Sequence, residues 1–96
     1  MRNIGVLYFN GEGVPQDYAK AREWYEKAAA AGDVNAMSNI GFMYQDGHGV
    51  VQDWIKAREW WEKAAAGGNA AAMRSIGFLY DTGRGVPQDY AKAREW

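Results

Sequence analysis

The stretch that decides the fold is Ile40–Ser75, IGFMYQDGHGVVQDWIKAREWWEKAAAGGNAAAMRS. A shift of 36 residues in either direction returns the same chemistry: Ile4-Gly5, Ile40-Gly41 and Ile76-Gly77 align, as do Gly11, Gly47 and Gly83, and Trp24, Trp60 and Trp96. Between residues 4–39 and 40–75, 21 of 36 positions are identical, and 17 of the 21 residues in 76–96 match 4–24. Chance does not produce this, so the internal repeat is the first fact about the architecture. The units run 4–39, 40–75 and, in part, 76–96, with residues 1–3 as the tail of a preceding unit, about two and two-thirds units in one repeat domain of 96 residues. Neither end has the polar, atypical character of a capping repeat, which is expected of a segment from a longer array.

Each unit contains two helical stretches separated by glycine. In the central region the first, helix A, is expected over Val34–Asp46. Ala36, Ile40 and Tyr44 fall at i, i+4 and i+8, flanked by Met37 and Met43, and make one apolar face. Asp33, and Asn69 one unit on, stand as N-caps. Gly41 lies inside this helix at a cost of about 1 kcal/mol relative to Ala, which implies an offsetting close approach of the partner helix, expected over an aromatic ring. Gly47 terminates the helix in the left-handed conformation. A Gly-x-Gly-Val-x-Gln-Asp connection follows, in which Val14, Val50 and Val86 are expected to anchor the loop and Asp17, Asp53 and Asp89 to cap the second helix. That helix, B, spans Trp54–Ala66. Trp54, Ala57, Trp60 and Trp61, Ala64 and Ala65 form its buried stripe, with Trp60 expected inside. Glu59 with Lys63, and Glu23 with Lys27, are i, i+4 pairs on the outer face. Gly67-Gly68 ends it. The expectation is six antiparallel helices, the first and last truncated, and no strand.

These residues resemble the Sel-1-like repeat, a relative of the tetratricopeptide repeat. The pattern is carried by Ala36, Ile40-Gly41, Met43-Tyr44, Gly47, Gly49-Val50, Asp53, Lys56-Ala57, Trp60-Trp61, Lys63-Ala64-Ala65 and Gly68, and it covers the whole chain. Ile40 replaces the usual Leu, and Trp61 the Tyr seen at Tyr25. The resemblance implies an all-α fold, an α-solenoid of antiparallel helix pairs wound as a right-handed superhelix, with A helices on the concave surface and an adaptor role in holding proteins or peptides.

Composition bounds the function classes. The 11 basic and 12 acidic residues are interspersed and nearly cancel, so no electrostatic footprint for nucleic acid or an anionic membrane exists. No apolar run approaches the ~18 residues of a membrane span, and Met-Arg-Asn-Ile-Gly does not open a signal peptide. The absence of cysteine removes disulfides and thiolate metal sites and is compatible with a cytoplasmic location, though the compartment is not determined. Five Trp and six Tyr recur at fixed repeat positions, which favours packing bolts over a ligand lining. The single histidine, His48, has Glu12 and Arg84 as its equivalents and reads as a solvated loop residue. Ser38 and Ser75 have no base at a suggestive spacing, and no carboxylate–histidine cluster suggests a metal. No catalytic residue, metal or cofactor is therefore expected.

Binding is the more informative direction, because repeats diverge where the scaffold does not constrain them. On helix A, residues 38, 42 and 45 project in nearly one direction, away from Ile40 and Tyr44. Stacked with their counterparts, Ser38, Phe42, Gln45, Arg74, Phe78 and Asp81 make a strip of apolar rings with polar neighbours, the make-up of a peptide-binding groove. The alternative for the rings is packing against adjacent repeats. The leading functional expectation is a non-enzymatic scaffold for a protein or peptide partner. The second is self-association through the incomplete terminal units, as a homo-oligomer or by helix exchange. An enzyme and an RNA-reading repeat are more distant.

Overall fold

The computed structural model of the chain describes residues 2–13 and 15–83, apart from the side chains of Arg2, Asn3 and Asp81. Five helices follow in order: α1 (Arg2–Asn10), α2 (Tyr18–Ala30), α3 (Val34–Asp46), α4 (Trp54–Ala66) and α5 (Ala70–Thr82). The A helices are α1, α3 and α5; the B helices are α2 and α4. The boundaries of α3 and α4 coincide with those expected from the glycines and caps. Among the described residues there is no strand, and no helix is long and apolar enough to cross a membrane. The sixth helix, expected after Asp89, lies outside the described residues, as do Val14, Val86 and Trp96.

The helix ends are built from side chains that repeat with the period. Asp53 Oδ1 accepts from the backbone N–H groups of Ile55 and Lys56 at 2.9 and 3.1 Å. Asp33 does the same for Asn35 and Ala36, Asp17 for Lys20 and Asn69 for Ala72. Such a cap contributes about 1 kcal/mol by satisfying donors that have no partner inside the helix. At the other end, Gly47 adopts φ +71°, and the N–H of His48 then donates back to Met43 O at 3.0 Å. The repeated glutamine has a role that its position alone did not suggest. Gln52 Nε2 donates to Gln45 O, and Gln16 Nε2 to Phe9 O, each at 2.8 Å, so one amide covers a last-turn carbonyl of α3 and another one of α1. The Asp53 N–H donates to Tyr44 O at 3.0 Å, which fastens the start of α4 to the end of α3.

Each helix packs against its neighbours in sequence, and the resulting row measures 44 × 24 × 18 Å. Buried residues form two clusters. One joins Ala21, Tyr25, Ala28 and Ala29 of α2 to Ala36, Ile40 and Met43 of α3. The other joins Ala57, Trp61, Ala64 and Ala65 of α4 to Ala72, Ile76 and Leu79 of α5. Met37 and Tyr44, half-buried on α3, touch both. Every cluster thus pairs the B helix of one unit with the A helix of the next, and alanines keep the backbones close. No unit closes its core alone, which is the defining constraint of an α-solenoid.

Within each hairpin the bolt is an aromatic ring over a helical glycine. A Cβ on Gly41 would meet Trp61 Nε1 and Cδ1, and a Cβ on Gly5 would meet the Tyr25 ring carbons at 2.7 Å. Trp61 is fully buried, and its indole N–H donates to Ser38 O at 3.2 Å. This corrects the expectation for Trp60, which is only half-buried. The notch at Gly41 admits one ring, and Trp60 lies about 100° away around the helix. Trp60 lies instead beneath Lys63, whose Nζ is 4.5 Å from the ring centroid, as Lys27 is from Trp24. The lysines expected to pair with Glu59 and Glu23 therefore cover indoles. The ion pairs on these helices are Arg58–Glu62 at 3.3 Å and Arg22–Glu26 at 3.7 Å. Val50 is half-buried, as is Trp54.

Two outcomes follow from this packing. Gly41→Ala gains up to about 1 kcal/mol of helix propensity but forces a methyl into a buried indole. It is expected to lower stability by about 1–3 kcal/mol in urea unfolding; a midpoint at or above wild type would show that the notch is not tight. Burial raises the Tyr25 phenol above its ordinary value of 10.0. The unfolded chain then loses this proton first, so the Tyr25 contribution is intact below pH 10.0 and lost as pH rises through the folded value. Unfolding monitored across alkaline pH should show a decline that is shallower in Tyr25→Phe than in wild type.

Candidate interaction grooves on the face of α1, α3 and α5

The A helices are held mainly by the B helices between them, and furrows separate one A helix from the next. Between α3 and α5 lies a groove of about 350 Å³ lined by Phe42, Gln45, Ala71, Arg74, Ser75 and Phe78. Between α1 and α3 lies one of about 290 Å³ lined by Val6, Phe9, Asn10, Asn39 and Phe42, with an edge of Tyr25. Four of the lining positions correspond one period apart: Val6 to Phe42, Phe9 to Gln45, Asn39 to Ser75, and Phe42 to Phe78. The two grooves are the same architectural feature in successive units, and Phe42 forms a wall of both.

Four of the six residues expected on this strip converge in one groove: Phe42, Gln45, Arg74 and Phe78. Phe42 is 36% and Phe78 47% exposed, high values for large apolar rings. The alternative reading of the rings is partly realised as well. Phe42 meets Trp61 of its own hairpin edge-on, with centroids 5.2 Å apart and an interplanar angle of 65°, and this contact sets its tilt while leaving part of it open. Ser38 does not join them. It is only 3% exposed, on the side of α3 where its carbonyl accepts the Trp61 N–H. A short side chain beside that ring stays covered, whereas Arg74, at the same repeat position, is exposed. Asp81 lies in the last turn of α5, and its side chain is outside the described residues.

Ala71 and Ser75 were missed by sequence reasoning, although the signal was present: with Arg74 and Phe78 they fall at i, i+3, i+4 and i+7 on one helical face. Ala71 matters through its size, because a small residue leaves the furrow open. Ser75 Oγ donates to Ala71 O at 3.0 Å and keeps its acceptor lone pairs. Gln45 Nε2 makes a long contact of 3.4 Å to Asp46 Oδ1. The lining therefore offers apolar walls, two neutral hydrogen-bonding groups and one guanidinium. Its described lining residues include no nucleophile–base pair.

His48 is not the solvated loop residue its repeat counterparts suggest. It is half-buried, 4.5 Å from the Tyr18 ring and 5.6 Å from the Phe9 ring between centroids, with Nε2 3.9 Å from Asp46 Oδ2. Phe9 and Tyr18 are themselves 5.1 Å apart. The adjacent Gly49 passes so close to Tyr18 that a Cβ there would lie 2.8 Å from the Tyr18 Cβ. The loop of one unit thus packs onto the start of the preceding B helix, a role that unit spacing cannot reveal because the partners come from different units. Among the described residues no group of three or more His, Asp or Glu is placed to hold a metal.

Two solved structures share this arrangement. A Sel1 repeat protein from Oxalobacter formigenes superposes with a TM-score of 0.93 at 36% identity, over 99% of this chain and 39% of its own. The protein c5321, a protective antigen present in uropathogenic Escherichia coli strains and displaying an SLR fold, superposes with a TM-score of 0.95 at 46% identity, over 99% of this chain and 20% of its own. The chain thus spans well under half the length of either. No curated protein sequence matches it. The Sel1 repeat profile matches residues 1–33, 34–69 and 70–96, the same period as in the sequence but cut at the start of helix A. The chain belongs to the Sel1 repeat family.

Proposed function

We propose that this protein is a non-catalytic scaffold that binds a protein or peptide segment along the face of α1, α3 and α5. Sel1 repeat proteins in general mediate protein–protein interaction and are non-catalytic. The observation that carries the reading is the convergence of Phe42 and Phe78, both substantially exposed, with Gln45 and Arg74 in one furrow. An open apolar groove with a few polar groups has the character of a recognition surface. Its recurrence one unit away gives a track of repeated subsites, over which weak contacts add. The expectation that A helices line the inner curve of the solenoid is consistent with that use.

The test is selection of displayed peptides against the immobilised protein, followed by affinity measurement with Phe42→Ala/Phe78→Ala. Truncating two aromatic anchors is expected to weaken the selected peptides by roughly a hundredfold, about 1.4 kcal/mol for each ring. Helix content and unfolding midpoint should stay close to wild type, since both rings are partly solvated. Equal affinity in the double variant would assign binding to another surface.

A further inference from the structure

We infer that the groove between α3 and α5 selects an extended segment carrying a side-chain carboxylate beside an apolar side chain. Arg74 holds the carboxylate, and Phe42 and Phe78 hold the apolar group. The inference rests on the reading of this face as a peptide-binding surface and adds to it the chemistry and register of the partner.

The first argument is charge. Arg74 is the one charged side chain among the described residues lining the groove, whose other members are neutral. Among the described residues no carboxylate pairs with it. Arg22 and Arg58, on the B helices, are each tied to a glutamate one turn away. The Asp46 carboxylate, which is not among the lining residues, faces Gln45 and His48. A guanidinium is weakly hydrated and presents a planar fork that fits a carboxylate with two parallel hydrogen bonds. The same charge disfavours a basic segment.

The second argument is shape. At about 350 Å³ the groove matches one large side chain with its neighbours. An extended segment places alternate side chains on the side that faces the furrow. Ser75 and Gln45 are then available to that segment's backbone.

The third argument is the contrast between the two grooves. The α1–α3 groove is built from the corresponding positions one unit earlier but has no charged lining residue among those described. At the position of Arg74 it has Ser38, which is buried. The positive charge therefore marks one subsite of two. A segment crossing the shared ridge at Phe42 is read as an acidic residue with an apolar neighbour over α3–α5, and uncharged or apolar residues over α1–α3.

The experiment is selection from a random dodecapeptide library fused through its C-terminus to the display protein, so that side chains are the only carboxylates. It is run against wild type, Arg74→Glu and Arg74→Gln, each checked for unchanged helix content. Wild type is expected to enrich Asp or Glu two residues away from an aromatic or large aliphatic residue, the spacing that puts both side chains on the groove side of an extended segment. Synthetic amidated peptides from that pool should bind Arg74→Gln roughly tenfold more weakly, the 1.4 kcal/mol expected of a charge-assisted pair at a partly exposed site. Arg74→Glu should shift selection toward Lys and Arg while keeping the apolar neighbour. Apolar sequences without acidic bias, or an acidic bias unchanged in both variants, would overturn this inference and leave the peptide-binding face standing. No enrichment by the wild-type protein would overturn both.

Discussion

The contact on which the structure turns is the indole of Trp61 against the backbone of α3 at Gly41. A side chain at Gly41 would occupy the space of the ring, so the helix gives up intrinsic propensity in exchange for a close approach that no other residue permits. The ring buries a large apolar area, and its one polar atom is satisfied by Ser38 O. The same ring covers Ser38 and meets Phe42 edge-on. One packing event therefore sets the distance between α3 and α4, removes position 38 from the surface and tilts the aromatic wall of both grooves. Tyr25 over Gly5 repeats the geometry one unit earlier with a smaller ring.

Around this bolt, stability is distributed among neighbours. The buried clusters each draw on two successive units, and Met37 and Tyr44 touch both. The loops reinforce the coupling: Gln52 and Asp53 bond back to carbonyls of α3, while His48 and Gly49 pack on Tyr18 of the preceding unit. In such a quasi-one-dimensional array, order at one unit depends on the units beside it. A ligand that bridges α3 and α5 would act across that coupling, because the A helices otherwise touch each other little.

The grooves show how a repeat carries information. Most positions that fill the core keep their residue along this chain, as Ala21 and Ala57, Ile40 and Ile76, and Ala36 and Ala72 do, and the exceptions, Tyr25 to Trp61 and Met43 to Leu79, stay large and apolar or aromatic. The positions that line the furrows vary, from Val6 to Phe42 and Phe78, and from Phe9 to Gln45. Core positions answer to packing density, which tolerates little change in volume, while furrow positions answer to solvent and partner. One backbone thus presents a groove with a neutral described lining beside one that carries the Arg74 guanidinium.

By itself, the sequence determined the period, the helix boundaries and the caps, because these depend on residues close in the chain. Asp33 capping Ala36, and Gly47 ending α3, are decided within one turn. It also indicated that Gly41 meets a close approach of the partner helix, expected over a ring, since an uncompensated glycine in a helix is costly. Phe42, Gln45, Arg74 and Phe78 were legible as a shared face from helical spacing and repeat divergence. Only the tertiary structure decided which of two adjacent tryptophans fills the notch, because Trp60 and Trp61 are equally apolar and differ only in their angle around α4. It decided that Ser38 is covered while Arg74 is open, that Lys63 lies over an indole, and that His48 packs against both Phe9 and Tyr18. Each of these outcomes is set by side chains from helices or loops far apart in sequence, and a repeat pattern records only that a position recurs, not what stands across from it.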